Sequence, residues 1–291
     1  FRYTDHSSDV IAGLKRKLET HGCPYLSGNR GGKDRGKRRE VQAIVLKGGQ
    51  RKTGDACIVA TGGISYPATG STGDGYRFAK ENGHQITKLY PALVPMEVRE
   101  WYAKELQGLS LRNVSAAVYD GKKKLYEDFG EMLFTHYGVS GPLMLSASSV
   151  IGKRLSEKEL CLVIDLKPAL TAEQLDARVL REFEEHKNKQ FKNAVDHLFP
   201  SKLKPVMLEL SGISEEKKVN EISREERQRF VHLIKHFEMT LSGLRSYKEA
   251  IITKGGVNVK EIDPGTMESK KDFRTVFCGR SSGPGCTDRR I

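Results

Sequence analysis

The sequence predicts an α/β protein, and three features of the chain indicate this class. The apolar residues 58–60 lead into Thr61-Gly62-Gly63 and a loop rich in Gly, Ser and Thr, after which a helical pattern begins. Alternating apolar residues flank the turn Asp120-Gly121, and two long later segments, 171–199 and 225–240, have helical periodicity. A strand that ends in glycines before a helix is typical of sheets that present the carboxyl ends of their strands to a ligand. An ordinary strand and loop is the alternative, since short glycine motifs are weak signals.

The composition fits a globular protein with a sizeable core. The chain has 291 residues, 37% of them hydrophobic, and it holds no apolar run of the roughly 18–20 residues that a membrane span needs. Its five cysteines lack CxxC spacing, which argues against a zinc site or a disulfide framework and favours a reducing cytoplasm. Because the chain starts at Phe1 without a signal-peptide pattern, we expect a cytoplasmic protein and a fragment of a longer one.

The predicted elements follow from short-range patterns. The predicted strands are apolar runs beside turn residues, namely residues 41–46, 56–60, 114–119, 124–129, 161–166 and 249–253. The predicted helices repeat apolar residues every three or four positions, namely residues 9–20, 74–83, 143–150, 171–199 and 225–240. Ser7 or Ser8 is expected to cap the first helix, and Thr171 with Gln174 the fourth. Prolines within residues 89–96 indicate a domain boundary.

The histidines do not predict a metal site. His232 and His236 are four residues apart in a predicted helix, but the residues between them do not give the His-Glu-x-x-His pattern of metalloproteases. His186 and His197 likewise lack Cys or carboxylate partners at ligand spacing. We therefore expect surface histidines and no bound metal.

Three motifs carry a family resemblance. They are Ala60-Thr61-Gly62-Gly63 with Ser65-Tyr66-Pro67 and Gly70-Ser71-Thr72-Gly73-Asp74-Gly75; Phe134-Thr135-His136 with Gly138 and Ser140-Gly141-Pro142; and Gly255-Gly256-Val257 with Met267-Glu268-Ser269-Lys270. In order and spacing they resemble the BaiN/YhiN-type flavoproteins, NAD(P)/FAD-dependent oxidoreductases related to aminoacetone oxidase. The resemblance runs from about Asp5 to Lys271.

The resemblance implies a fold, a cofactor and a site. It implies a partial Rossmann-like FAD-binding domain, residues 1–92 and 250–291, with an insert domain, 93–249, that is β-rich to about residue 170 and carries a helical lobe over about 171–240. The residues it assigns to FAD are Ala60, Thr61, Gly62, Gly63, Tyr66, Gly70, Ser71, Thr72, Gly73, Gly255, Gly256 and Val257. Thr135 and His136 are the candidates to face a small-molecule substrate, and a structural role for His136 is an equal alternative. NAD(P)H is a second candidate ligand.

Two family features are missing from the printed sequence. The N-terminal strand with its glycine-rich pyrophosphate loop would precede Phe1. The C-terminal motif of the type Phe-Ala-Gly-Glu-Val-Leu-Asp should follow Lys271, and a one-base shift of the reading frame over 272–291 permits it. Residues 24–39 have no periodicity, and a similar shift there permits an alternating strand. We therefore expect two frame errors, and a chain that as written retains FAD poorly, is inactive and exposes core surface.

The charge distribution bears on the main alternative function. The net charge of +12 invites a basic nucleic-acid-binding module, but the two anomalous segments, 24–39 and 272–291, contribute seven of those charges. Elsewhere the basic residues are interleaved with acids, which is typical of a solvated helix face. The sequence therefore favours a flavin-dependent oxidoreductase, with no nucleic-acid partner and no membrane partner.

Overall fold

A computed structural model describes residues 6–24, 31–35, 41–46 and 48–278, and it divides the chain into two compact units. The first unit comprises the described residues up to Ala60, together with 78–84 and 259–278. The second comprises residues 61–77 and 85–258.

The described residues form both helices and strands. The helices are α1 (Ser7–Thr20), α2 (Asp74–Glu81), α3 (Tyr102–Glu105), α4 (Pro142–Leu155), α5 (Ala172–Glu185), α6 (Phe191–Ala194), α7 (Lys204–Ser211) and α8 (Arg224–Lys235). The strands are β1 (Gly31–Arg35), β2 (Val41–Leu46), β3 (Arg51–Thr53), β4 (Cys57–Val59), β5 (Tyr90–Ala92), β6 (Met96–Val98), β7 (Ser110–Asp120), β8 (Lys123–Thr135), β9 (Gly138–Ser140), β10 (Leu160–Asp165), β11 (Phe237–Leu244), β12 (Ile252–Lys254) and β13 (Thr275–Phe277). Short 3-10 turns occur at Pro67–Thr69, Val219–Glu221 and Val259–Glu261.

The first unit contains two small sheets. Strands β1, β2 and β3 form an antiparallel meander, and β4 pairs in parallel with β13. The predicted cap of α1 is wrong, because the helix begins at Ser7 after His6 and no side chain caps it. The apolar face of α1 is exposed, with Ile11 at 54% and Leu14 at 60%.

A buried histidine joins two segments of the first unit. His84 follows α2, and its Nε2 lies 2.8 Å from Oγ of Ser269. The same Oγ accepts hydrogen bonds from the backbone N–H groups of Lys271 (3.1 Å) and Asp272 (2.9 Å), so its own proton is directed to His84. Nδ1 of His84 lies 3.1 Å from Oε2 of Glu261. The imidazole is therefore neutral, with the proton on Nδ1, and burial lowers its pKa.

The second unit is built on a closed barrel of six antiparallel strands. Around the barrel the order is β10, β11, β6, β9, β8 and β7. The longest pairing joins β7 to β8 across the turn predicted at Asp120-Gly121. Inward-facing residues of these strands, with α4 and α3, form the hydrophobic core, including Met96, Val118, Phe134 and Leu162. The prediction of a β-rich middle segment is confirmed.

Two glycines of the second motif are required by barrel packing. A Cβ on Gly138 would lie 2.2 Å from the carbonyl oxygen of Met96 on the neighbouring strand. Gly141 has φ of +87°, and a Cβ there would lie 2.9 Å from the backbone nitrogen of Leu133. Bare backbone at both positions lets β9 approach its neighbours before α4 begins at Pro142.

A helical lobe, α5 to α8, follows β10. Phe191 lies at its centre and packs edge-on against Phe183 and Phe230, with ring centroids 6.1 and 5.2 Å apart. The predicted cap of Thr171 with Gln174 is confirmed as a reciprocal capping box. The single helix predicted over 171–199 is wrong, because α5 ends at Glu185 and the chain turns before α6.

The helix predicted over residues 225–240 is also wrong at its end. Helix α8 stops at Lys235, and the chain continues as barrel strand β11. Phe237, Met239 and Leu241 are buried while Glu238 is exposed. This alternation has the two-residue period of a strand. It was overlooked because the helical pattern of the preceding residues was extended across it.

The structure also bears on the expectations about membrane spans, metal ligands and frame errors. No described helix is long and apolar enough to cross a bilayer. Within the described residues no three His, Cys, Asp or Glu side chains cluster as metal ligands, and the rings of His232 and His236 stack 4.3 Å apart. The frame error expected at 24–39 falls largely outside the described residues, although the backbone of residues 31–35 is a strand. Most of 272–291 also lies outside them, but residues 275–277 form β13.

Candidate functional site

The first motif is held by one hydroxyl of the second unit, which lies just before the third motif. Oγ1 of Thr253, on β12, accepts hydrogen bonds from the backbone N–H groups of Ile64 (2.9 Å) and Ser65 (3.1 Å). It also lies 2.9 Å from Oγ of Ser65. A single threonine two residues before Gly255-Gly256 therefore fixes the start of the glycine-rich loop.

The glycines of these motifs allow the chain to approach itself closely. A Cβ on Gly63 would lie 2.5 Å from Oγ1 of Thr253. A Cβ on Gly255, where φ is +96°, would lie 2.4 Å from the carbonyl oxygen of Lys88. Gly256 packs against the ring of Tyr76, 3.3 Å from the position of a Cβ. Bare backbone is thus needed here by internal packing alone, before any ligand is considered.

The loop after Gly63 projects outward. A 3-10 turn at Pro67–Thr69 lies between Tyr66, with φ of 48°, and Gly70, with φ of 103°. Tyr66 is 46% exposed, and no described atom lies within 4 Å of a Cβ at Gly70. A non-glycine residue in the left-handed region carries backbone strain, which is often kept at functional sites. This exposed turn is the part of the loop that a ligand can reach.

Helix α2 begins directly after the loop. The backbone N–H of Gly73 donates to the carbonyl of Gly63 (3.2 Å), which holds the two ends of the loop together. The Thr72 hydroxyl donates to the Asp74 carboxylate (3.1 Å), and Arg77 pairs with the same carboxylate at 3.2 Å. The Asp74 carboxylate therefore interacts with the partial positive charge at the N-terminus of α2.

The second motif forms a polar turn at one end of the barrel. The Thr135 hydroxyl is buried, whereas His136 is exposed and its ring lies 4.5 Å from that of Tyr137. The Tyr137 hydroxyl donates to Glu249 (2.9 Å), and the Arg245 guanidinium lies 4.2 Å from the Tyr137 ring centroid. Burial, and then the bond to Glu249, raise the pKa of Tyr137. The turn is thereby held in one conformation.

Residues 245–251 connect the glycine-rich loop to this turn. The carbonyl of Tyr247 accepts a hydrogen bond from the backbone N–H of Tyr66 (3.1 Å). Arg245 forms ion pairs with Glu249 (2.9 Å) and, from the other side, with Glu97 on β6 (2.8 Å). Burial, followed by the nearby phenols of Tyr76 and Tyr90, raises the pKa of Tyr247. One short segment therefore contacts both motifs.

The structure brings some of the predicted site residues into contact with one another. Contacts join Gly63 to Thr253, Tyr66 to Tyr247, Gly62 to Ser71 and Gly256 to Tyr76. The predicted residues that belong to the second unit are Thr61, Gly62, Gly63, Tyr66, Gly70, Ser71, Thr72, Gly73, Gly255, Gly256 and Val257. Ala60 ends a segment of the first unit. Val257 forms a bridge with Ile86, and Asn258 N–H bonds to Gln85 (2.9 Å). Contact of these residues with FAD stays a prediction.

Sequence reasoning missed Thr253, Arg245, Tyr247 and Glu249. Thr253 carried a signal, since a hydroxyl at the predicted end of a strand just before a double glycine is placed to bond a neighbouring loop. Arg245 and Tyr247 belong to an irregular segment with no periodicity. Glu249 lies in a turn, so the strand predicted over 249–253 is wrong at its start, because β12 begins at Ile252. Their roles depend on partners more than a hundred positions away, as in the bond of Tyr137 to Glu249.

The donor set fits a group that is held through backbone rather than through charged side chains. Thr61 and Gly62 are exposed, and Gly62 has φ of +70° with Ser71 Oγ 3.0 Å from the position of a Cβ. Hydroxyls and amides predominate, and the Arg77 guanidinium is engaged with Asp74. Such a surface suits the many hydrogen-bonding atoms of a dinucleotide.

Comparisons with known proteins agree with the motifs. Residues 90–252 match the family described as "HI0933-like protein barrel and H2TH domain". A 3-dehydro-bile acid delta(4,6)-reductase of Clostridium scindens is 32% identical over 232 residues, which cover 78% of this chain and 56% of the relative. A ribosomal RNA dihydrouridine synthase of Haemophilus influenzae is 32% identical over 224 residues, 76% of this chain and 52% of the relative. One from Escherichia coli is 26% identical over 224 residues, 76% and 53%.

The barrel with its helical lobe is the architecture that the matching family model describes, and that model covers more than half of the chain. The protein belongs to the HI0933-like family, the BaiN/YhiN-type flavoproteins, and the resemblance read from the motifs is confirmed. The chain spans about half the length of the curated relatives it matches.

Proposed function

We propose that the protein is an FAD-dependent reductase that acts on a carbon–carbon double bond conjugated with a carbonyl group. The names of the relatives support this reaction class. A delta(4,6)-reductase of a 3-dehydro steroid and a dihydrouridine synthase are different in substrate, but each name describes hydrogenation of such a bond. The enone of the steroid and the uracil ring both have a β-carbon that accepts hydride.

FAD supplies the hydride when it is bound. The residues that would hold it are those gathered around Thr253, with the exposed turn Tyr66–Gly70 contacting it through backbone and the bare backbone at Gly62. The observation that carries the proposal is the anchoring of the first motif on the Thr253 hydroxyl, two residues before the double glycine of the third motif. NAD(P)H is the proposed source of electrons.

His136 is the proposed contact to substrate. Reduction of an enone needs a donor that bonds the carbonyl oxygen while charge develops on it. The His136 ring is exposed, whereas the neighbouring Thr135 hydroxyl is buried, so the imidazole is the group of this turn that a substrate can reach. The Tyr137–Glu249 bond and the Arg245 contact would hold the turn that presents it.

Flavin binding and flavin oxidation test the proposal separately. FAD fluorescence should be quenched as purified protein with the reading frame restored over 24–39 and 272–291 is added, since the chain as written is expected to retain FAD poorly. The bound flavin is then reduced anaerobically, and its reoxidation by a dienone steroid is followed by absorbance. Replacement of His136 by Gln should slow reoxidation at least tenfold and leave FAD affinity unchanged, while the same change at the exposed His236 should alter neither. Reoxidation by oxygen but by no conjugated carbonyl would refute the reaction class.

A second candidate substrate is RNA, because two of the relatives are named ribosomal RNA dihydrouridine synthases. It would revise the expectation of no nucleic-acid partner, and it leaves the reaction class unchanged. Reoxidation of the reduced flavin by ribosomal RNA and not by the steroid, with binding that weakens steeply as salt increases, would decide for RNA.

A further inference from the structure

Two exposed histidines lie one turn apart at the end of helix α8, in the helical lobe. His232 belongs to the last turn of the helix, and His236 directly follows its last residue, Lys235. Both histidines are exposed, and their rings stack with centroids 4.3 Å apart and planes 23° apart. Neither belongs to the three family motifs, so the function proposed above does not use this pair.

The helix fixes the relative position of the two residues. The backbone N–H of His236 donates to the carbonyl of His232 at 2.8 Å, so residue 236 stays one turn above residue 232 although its φ of −136° is no longer helical. Phe230, Val231 and Ile234 are the buried residues of α8 and pack in the core. The two imidazoles therefore project from the outer side of the helix, where solvent reaches them.

The end of α8 is anchored to the chain that follows β10. The carbonyl of Ile234 accepts a hydrogen bond from the backbone N–H of Leu166 (3.0 Å). The Lys235 ammonium pairs with Asp165 at 2.5 Å and donates to the carbonyl of Leu170 at 2.6 Å. The charge of Lys235 is therefore balanced by a carboxylate, and it opposes a cation bound beside it only weakly.

The chemistry of the pair suits a transition metal. Imidazole nitrogen is a preferred ligand of zinc, copper and nickel, and histidines at positions i and i+4 of a helix present it on one face. An ion that binds both nitrogens at about 2.0–2.1 Å needs them roughly 3–4 Å apart. Rings whose centroids are 4.3 Å apart reach this spacing after a small side-chain rotation, which is unhindered at an exposed site. The partial negative charge at the carboxyl end of α8 also favours a cation.

We propose that His232 and His236 together chelate one divalent transition-metal ion, with water in its remaining coordination positions. Within the part of the chain that the structure describes, no three His, Cys, Asp or Glu side chains converge, so the ion would be held by these two imidazoles and would exchange with solvent. The site revises the expectation that these histidines bind no metal. It does not rest on the flavin chemistry proposed above.

Calorimetric titration of Ni²⁺ into the full chain tests the site. Nickel is a suitable probe because, unlike Cu²⁺, it does not oxidise the free cysteines. The wild-type protein should show one strong site per chain. His232→Gln and His236→Gln should each weaken that site at least tenfold, since either change leaves a single imidazole. His197→Gln replaces another exposed histidine of the same lobe and is the matched control, with an expected affinity equal to wild type.

Thermal unfolding separates metal binding from damage to the fold. In EDTA all four proteins should unfold at the same temperature, because the replaced side chains are exposed. Added Ni²⁺ should raise the midpoint of the wild type and of His197→Gln, and should leave the other two variants unchanged.

Two results would overturn the proposal. Equal affinity for Ni²⁺ in the wild type and in both pair variants would place the metal elsewhere on the chain. Weakening by only one of the two substitutions would show that a single histidine binds the ion without its neighbour.

Discussion

Thr253 holds the glycine-rich loop through two backbone hydrogen bonds, and its removal gives the sharpest test of the site. Thr253→Val keeps the shape of the side chain and deletes the oxygen that accepts from Ile64 N–H (2.9 Å) and Ser65 N–H (3.1 Å). A hydrogen bond of this kind contributes about 1 kcal/mol net, so the loop should lose about 2 kcal/mol. That corresponds to roughly a thirtyfold increase in the population of the open loop.

Hydrogen exchange measures this change locally. The amides of Ile64 and Ser65 should exchange roughly thirtyfold faster in the variant, since the closed loop protects them. Amides of the barrel, such as Val118, should be unaffected. FAD affinity should fall in proportion to the loss of the closed loop, because only molecules with the closed loop are competent to bind the cofactor.

Thr253→Ser is the matched control, because it keeps the hydroxyl and removes only a methyl group. Its exchange rates at Ile64 and Ser65 should stay within a few-fold of wild type. If the valine variant exchanges at the wild-type rate, the two bonds do not hold the loop and the reasoning is wrong. If the serine variant, which keeps the hydroxyl, exchanges as fast as the valine variant, the two bonds alone do not explain the protection of the loop.

The other predictions concern backbone packing and pH. A Cβ at Gly255, where φ is +96°, would lie 2.4 Å from the Lys88 carbonyl, whereas a Cβ at Gly70, where φ is +103°, meets no described atom. Urea unfolding should therefore show a loss of several kcal/mol in unfolding free energy for Gly255→Ala and of about 1 kcal/mol for Gly70→Ala. Equal losses would contradict the packing argument. Burial lowers the pKa of His84 below its usual value of about 6.5, so the unfolded chain binds more protons as the pH falls through that value. Stability of the first unit should therefore be constant above about pH 6.5 and fall below it; thermal unfolding measured against pH checks this, and His84→Gln should flatten the profile.

Periodicity and turn chemistry gave most of the local structure of this protein. The strands around Asp120-Gly121, the helix after Pro142 and the capping box at Thr171 depend on neighbouring residues, and the structure agrees with all three. The failures occur where local signals compete. Residues 237–240 were predicted as the end of a helix, although their apolar residues alternate as in a strand. They form part of β11, because that strand closes the barrel.

The sequence by itself determined the family, because three motifs spread over nearly two hundred residues occur in the order and at the spacing that the family shows. It determined which backbone positions must be bare, since only glycine fits where chain segments touch. The tertiary structure decided what those glycines approach: Gly63 lies against Thr253, and Gly255 lies against Lys88.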